Sequence, residues 1–330
     1  MDAPRSEPPT PRSPALSPGT STGASPIDVL ILTKNEEANL PYALQSVVGW
    51  ARNVFVVDSG STDRTRDIAE QFGAVFVPHA WEGYARQKNW ALDHLPLTAP
   101  WVFILDADEV ITPALRGELI AVAGANACPE NGFYVNRFFI FLGKRIRHCG
   151  YYPSWNLRFF RRGKARYEER EVHEHMVVDG KNGYLRHEME HHDRRGMEYY
   201  IAKHNHYSTL EARELLKIEQ NVAEGTLQAR FFGGPIERRR WVKHKIWPRL
   251  PAKWLFRWIY MYVLKLGFLD GVVGFHFCLF LAAYEHQITL KLAEMRKQGS
   301  VPPAAPPVPD RIKMDGSRAA DDNSLCEQRP

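Results

Sequence analysis

The sequence predicts an α/β fold with a parallel, doubly wound sheet, and three observations predict it. Short apolar runs alternate with amphipathic stretches between residues 27 and 105. Each apolar run has the length and continuity of a strand covered on both faces. The runs end in polar, acidic clusters, which places the chemistry at one edge of the sheet.

The first strand is Ile27–Thr33, IDVLILT. A helix follows, with Asn39 as cap, Pro41 in the first turn, and Leu40, Ala43, Leu44, Val47 and Val48 at helical spacing. Asn53–Val57 is the second strand. The second helix takes Ser61 or Thr62 as cap and Thr65, Ile68, Ala69 and Phe72 as its apolar face. A third strand (Ala74–Pro78), a third helix (about Gly83–His94) and a fourth strand (Trp101–Leu105) complete the alternation.

The chain has 330 residues, 44% hydrophobic, with a formal net charge of +5. That length and composition exclude a disordered chain, a collagen-like chain and a disulfide miniprotein. Cys128, Cys149, Cys278 and Cys326 are scattered, without CxxC spacing, and read as reduced thiols. Residues 1–26 hold seven of the 23 prolines and residues 299–330 hold six more, so both read as disordered tails. The first tail lacks the apolar core of a secretory signal. Between them, 27–195 reads as a catalytic domain and 196–298 as a helical region.

Charge is concentrated between Arg230 and Arg257, where nine Lys or Arg meet one acid, Glu237. Trp241, Trp247, Trp254 and Trp258 lie in the same stretch. Basic residues interleaved with Trp suit an anionic membrane surface. A solvated helix face with core tryptophans is the plainer reading, and nucleic acid is disfavoured. The longest uncharged run, Gly271–Tyr284, is short for a span. The expectation is a helix on the cytosolic leaflet, hence a cytoplasmic protein peripheral to the inner membrane.

Three acidic clusters fall at strand ends: TKNEE (33–37), DSGSTD (58–63) and DADE (106–109). Converging carboxylates repel one another and call for a cation or donors between them. Asp106-x-Asp108 presents hard oxygen ligands suited to Mg²⁺ or Mn²⁺, with substrate phosphates completing the shell. Asp58 can accept hydrogen bonds from a base or ribose, and Gly60 lets backbone approach a ligand.

The segments TKNEEANLP (33–41), VVDSGSTDRT (56–65) and FILDADE (103–109) resemble the motifs of family 2 glycosyltransferases, which have the GT-A fold. The likeness extends through FLGKRIRHCGYYP (141–153), VHE (172–174) and KLGFLDG (265–271), and is similar to the lipopolysaccharide core β-1,4-glucosyltransferase group. It implies a GT-A, Rossmann-like sheet with flanking helices plus a C-terminal helical membrane-docking region. It also implies an inverting, metal-dependent transferase that moves a sugar, glucose by analogy, from a UDP-sugar to a lipid-linked or polysaccharide acceptor. Carried over by position, Thr33, Asn35, Glu36, Asp58, Asp63, Arg86, Lys88 and Asp106 line the donor. Asp108 and Asp106 hold the cation, and His191 approaches it.

An inverting transfer needs one general base. Many family 2 enzymes carry it in a Glu-Asp pair, which is missing here at the expected place. Glu174 in Val172-His173-Glu174 takes the role, with Glu168, Glu169 and Glu171 as rivals, and pairing of Glu174 with Arg170 or Arg158 as the structural reading. Tyr152 and Trp155 offer faces for an acceptor sugar, equally explicable as core aromatics, and Arg158 an acceptor contact. A polyprenyl-phosphate glycosyltransferase, whose acceptor needs no base, is the alternative. A haloacid-dehalogenase-type phosphatase is a distant one, since its DxDxV belongs on the first strand.

Overall fold

The computed structural model describes residues 25–125, 128–168, 176–219 and 252–298. Residues 1–24 and 299–330 of the two expected tails, residues 220–251, and Glu169, Glu171 and Glu174 lie outside the described residues. Compactness divides the chain into two units, one of residues 1–136 and 156–189, the other of 137–155 and 190–330. The division cuts across the boundary at residue 195 suggested by the sequence, because Arg137–Trp155 groups with the later helices.

The first unit is built on strands β1 (Ile27–Thr33), β2 (Asn53–Asp58), β3 (Val75–Pro78) and β4 (Trp101–Asp106), alternating with helices α1 (Leu40–Val47), α2 (Thr65–Gln71) and α3 (Tyr84–His94). β1 pairs in parallel with β2 and with β4, and β2 with β3. Then follow β5 (Glu109–Ile111), α4 (Pro113–Gly124), β6 (Glu130–Phe141), β7 (Lys144–Ile146), β8 (Ser154–Arg161), β9 (Ala165–Tyr167), β10 (Met176–Val178) and β11 (Lys181–His191). The sheet order is β3-β2-β1-β4-β8-β6-β11-β5, and β4 meets β8 antiparallel. This is a mixed, GT-A-like α/β sheet with flanking helices. The strand order reverses at β1, and in open α/β sheets ligands bind beyond such a switch point.

Alternation along each strand divides the core into two layers. Val29 and Ile31, Val54 and Val56, and Phe103 and Leu105 pack with α1 and α2 residues such as Leu44 and Ile68. Leu30, Phe55, Val57, Val102 and Ile104 pack on the opposite face with Ala85 and Ala91 of α3. Aromatic stacking ties in β8, with Phe159 lying 4.6 Å from Trp101.

The expected helix caps are placed differently. Asn39 precedes α1 but makes no side-chain cap; its amide donates to Glu36 at 2.8 Å. Neither Ser61 nor Thr62 caps α2. The cap position is Arg64, without a side-chain cap, and Asp63 before it accepts from the Thr65 backbone at 3.0 Å and from its hydroxyl at 2.6 Å.

In the second unit α5 (Gly196–Glu219) packs on the last helix, Gly271–Gln298. Glu285 of that helix binds Lys253 at 3.3 Å and Arg257 at 2.9 Å, both from the helix Lys253–Ile259. Lys253 is buried. Lys253 and Arg257 of the basic tryptophan segment therefore neutralise an internal carboxylate. By length and composition Gly267–Gln298 is long and apolar enough to cross a membrane, a test that core helices also pass. The uncharged run alone looked too short because Asp270 and Glu285 bound it.

Asp270 organises the turn before β8. Buried at 2% exposure, it accepts from the backbones of Arg147 and His148 at 3.2 and 2.9 Å, and from the His148 ring at 2.9 Å. Cys149 Sγ lies 3.6 Å away. Burial pushes its carboxyl up, but the His148 and backbone hydrogen bonds outweigh that and hold it below the ordinary value. The ionised form is thus favoured in the folded state. Its stabilisation is present above the unfolded value near 4 and is lost as pH falls through the lower folded value. Asp270→Asn is expected to cost about 1–3 kcal/mol at pH 7. In urea titrations the gap to the parent should shrink below about pH 4.

Candidate active site

The ends of β1, β2 and β4 carry the acidic clusters, and the register fixes their relation. Thr33 lies beside Asp58, and Leu32 beside Asp106. Asp58 and Asp106 thus flank the end of β1, separated by two interstrand spacings, about 9–10 Å.

The first two clusters are stapled to each other. The Asn35 backbone donates to Ser61 Oγ at 2.8 Å, and Thr62 N–H returns a bond to Asn35 Oδ1 at 2.7 Å. Glu36 N–H donates to Thr65 Oγ1 at 2.9 Å and Glu37 N–H to Asp63 at 3.0 Å. Asn35 sits at φ +52°, a left-handed conformation that Asn tolerates. Lys34 donates from its ammonium to the Gly60 carbonyl.

Asp58 faces inward. Its Oδ1 accepts from the hydroxyls of Thr33, at 2.9 Å, and Ser61, and its Oδ2 from the backbones of Gly60 and Ser61 at 2.9 and 2.7 Å. Those four donors fill the strong acceptor sites of a carboxylate. Asp58 thereby holds the loop that Thr33 and Gly60 share. Asp63 likewise joins the two loops, accepting from Glu37 N–H and from Thr65. Asn35 differs, because its buried Nδ2 has no hydrogen-bond partner among the described residues. A buried donor without a partner is costly, and a ligand oxygen would satisfy it.

At the end of β4 a buried guanidinium binds two carboxylates. Arg158 of β8, 6% exposed, donates to both oxygens of Asp106, from Nη1 at 3.3 Å and from Nη2, and from Nη2 to Glu109 at 3.0 Å. Glu109 is fully buried and also accepts from the Asp106 backbone at 3.0 Å. The placement follows from the sheet. Phe103 pairs with Phe159, so the next position sets Arg158 beside Ile104, on the face Asp106 also uses. Burial pushes the Asp106 carboxyl up, but the charges of Arg158 and then Lys88 dominate and hold it down at about 2. Burial also works against the Arg158 charge, and Asp106 and Glu109 more than reverse it. Arg158 is therefore engaged with Asp106 and Glu109, and the Asp106 carboxylate is held by that guanidinium.

On α3, Lys88 Nζ stands 4.7 Å from the Tyr167 ring, and Arg86 is exposed. Gln87, fully buried, donates to Ser59 Oγ at 3.2 Å and to the His79 carbonyl at 3.3 Å, fixing α3 to the β2 loop. Asn89 exchanges two 2.9 Å bonds with the Tyr167 backbone. Tyr167 in turn pairs with Met176.

Of the remaining expected residues, Glu36 accepts from Asn39 as described. His191, Tyr152 and Trp155 belong to the second unit. His191 ends β11 with its ring 5.2 Å from that of Phe139, Arg145 stands 5.1 Å from the Tyr152 ring, and Trp155 is exposed. Sequence reasoning missed the clamping role of Arg158 and Glu109. The signal was there: Arg158 is the charge inside the apolar run NLRFF, where burial demands a partner.

Among the described residues no group of three His, Cys, Asp or Glu side chains encloses a metal ion. Asp108 still fits a divalent cation, because Mg²⁺ and Mn²⁺ accept one carboxylate with phosphate and water oxygens as the remaining ligands. It is partly exposed and electrostatically coupled to Asp106.

Removing Arg158 leaves Asp106 and the buried Glu109 without their cation. Arg158→Ala is expected to destabilise the fold by about 3–5 kcal/mol. Arg158→Lys keeps the charge but loses the fork, and should recover only part of that in the same denaturation experiment.

The model of Glycosyl transferase family 2 matches residues 28–187, a span that holds all three acidic strand ends. The chain is 36% identical over 199 residues to the lipopolysaccharide core biosynthesis glycosyltransferase LpsC of Rhizobium meliloti (strain 1021), covering 57% of this chain and 70% of that protein. An uncharacterized glycosyltransferase of Rickettsia bellii (strain RML369-C) is 42% identical over 93 residues, 28% of this chain and 31% of that one. Among solved structures, the mannosyltransferase PcManGT from Pyrobaculum calidifontis in complex with GDP-Man and Mn²⁺ is 17% identical, covers 86% of this chain and 91% of that one, and has a TM-score of 0.47. Glucosyl-3-phosphoglycerate synthase from Mycobacterium tuberculosis, in complex with Mn²⁺, UDP and phosphoglyceric acid, is 23% identical over 35% of this chain and 43% of that one, with a TM-score of 0.28. With its family motifs at the carboxyl edge of a mixed α/β sheet, and with a relative of this identity matched over most of its length, the chain belongs to glycosyl transferase family 2.

Proposed function

We propose that the protein transfers a sugar, glucose by analogy, from a UDP-sugar to a hydroxyl of a lipid-linked or polysaccharide acceptor, with inversion. The reaction belongs to cell-envelope glycan synthesis, in keeping with the likeness to LpsC. Its setting is the cytosolic face of the inner membrane, where a basic, tryptophan-rich segment meets an anionic surface. The observation that carries this reading is the Arg158 clamp. It fixes an ionised Asp106 at the end of β4, next to Asp108 and with Lys88 contributing positive charge.

The residues divide the work as follows. Asn35 Nδ2, without a partner in its buried position, donates to an oxygen of the nucleotide. Asp106, held anionic, accepts from the donor's ribose. Asp108 holds Mg²⁺ or Mn²⁺, which when bound stabilises negative charge developing on the leaving diphosphate. Lys88 adds a positive charge at the same edge. Glu174 takes the proton from the attacking hydroxyl as general base, on a segment whose flank Tyr167 lies against Lys88.

A thermal-shift series with UDP-glucose and GDP-mannose, with and without Mn²⁺, tests the donor. UDP-glucose with Mn²⁺ should raise the melting temperature, and Asp108→Ala should remove the Mn²⁺-dependent part. No shift with any nucleotide sugar would contradict the reading. Glu174→Gln should lower transfer by about 10²–10⁴-fold while leaving donor binding intact. Unchanged turnover would instead point to an acceptor that is already anionic, such as a polyprenyl phosphate.

A further inference from the structure

The second unit carries an apolar surface that its own packing leaves uncovered. From Trp254 to Tyr284 the charged residues are Arg257, Lys265 and Asp270. Asp270 is buried under the 147–149 turn and Arg257 pairs with Glu285 at 2.9 Å, so this stretch carries no exposed acid and adds the cation Lys265. Around those cations lie Phe256, Val263, Leu264, Phe268, Leu269 and Val272, all exposed, Leu264 at 68% and Val272 at 72%. Ring contacts join the elements that bear them: Trp258 and Tyr262 lie 6.1 and 5.7 Å from Phe275 of the last helix, and Tyr262 lies 6.3 Å from Phe268. The apolar residues therefore share one patch rather than being scattered singly. Contiguous patches of this kind mark interaction sites.

Composition and burial choose the occupant. In the most apolar part of Gly267–Gln298 39% is buried, so most of that stretch is left uncovered by the rest of the unit. The helix does not present an unbroken span either. Its later half is bound to α5, Tyr284 donating to Glu211 at 2.8 Å and Lys291 to Ser208 at 2.8 Å. Glu285 is locked to Lys253 and Arg257 just beyond Leu279, the last large exposed apolar residue before it. What remains is an apolar tip with basic residues at its margin, the pattern of a segment that dips into the headgroup and upper acyl region. A cavity of about 550 Å³ opens at the same place, lined by Tyr151, Phe256, Tyr260 and Met261 with Arg257 among them, and Lys265 stands 5.5 Å from the Tyr260 ring. An acyl chain suits its apolar walls, and a lipid phosphate suits the ammonium of Lys265.

We infer that residues 255–279 form a bilayer-insertion tip, which buries Leu264, Phe268 and their exposed neighbours shallowly in a membrane containing anionic phospholipid. The inference rests on the membrane setting proposed above and adds its mode: insertion of apolar side chains, rather than attraction of basic charge alone.

Flotation of the full chain with vesicles of phosphatidylcholine, alone or mixed with phosphatidylglycerol, at low and high salt, tests it. The parent should float with the mixed vesicles and keep most of that binding at high salt. Leu264→Asp and Phe268→Asp should each weaken binding by about tenfold. Both positions are exposed, so the variants should keep the parent's melting temperature. They should also keep its thermal shift with UDP-glucose, a readout that stands or falls with the donor reading and not with insertion. Unaltered flotation of both variants, or binding abolished by salt in every form, would overturn the inference. So would variants that lose a dimer in sizing experiments while floating as before, since a second copy would then be the occupant.

Discussion

A buried guanidinium demands anions, and most of the site follows from how this chain supplies them. Arg158 enters from an antiparallel strand laid against β4, with its Nη atoms between Asp106 and the fully buried Glu109. Burying one charge alone is strongly unfavourable, and a hydrogen-bonded cluster with a fork geometry offsets that cost. The cluster thereby dictates that Asp106 is ionised and that its carboxylate points along the edge of the sheet. It also fixes the turn that follows, because Glu109 reaches back to the Asp106 backbone. Asp108 is presented from that turn.

The opposite side of β1 is rigid for a different reason. There the carboxylates bind backbone and hydroxyl donors instead of cations. Asp58 closes its own loop, and Asp63 joins α2 to the β1 loop. The two loops together leave the Asn35 amide as the buried donor that still lacks a partner. Loops held in this way need no further ordering when a ligand meets them.

Much of the architecture was legible in the sequence. IDVLILT, NVFVVD and WVFILD read as buried strands because both their faces are apolar, and the alternation with helices forces them parallel. The acidic strand ends were legible for the same reason, since a charge at the end of an apolar run must sit at an edge. The directions of those acids were not. Asp58 and Asp106 look alike in sequence, yet one binds its neighbours' N–H groups and the other an arginine 52 residues away. Nor did the spacing show that β8 would lie between β4 and β6, which is what delivers Arg158. Cys149 and Cys278 looked unrelated at their separation, yet each sulfur lies within about 3 Å of where a Cβ on Gly267 would stand, so that position accepts only glycine. Such long-range pairings depend on topology, and local patterns carry no information about them.

The most direct measurement is a crystal structure of the protein soaked with UDP and Mn²⁺. The account predicts that Arg158 stays forked on Asp106 and Glu109, that Asp108 is the protein carboxylate on the ion, and that Asn35 Nδ2 donates to the nucleotide. An Asp106 carboxylate moved onto the metal, with Arg158 released from it, would contradict the clamp on which the site is built.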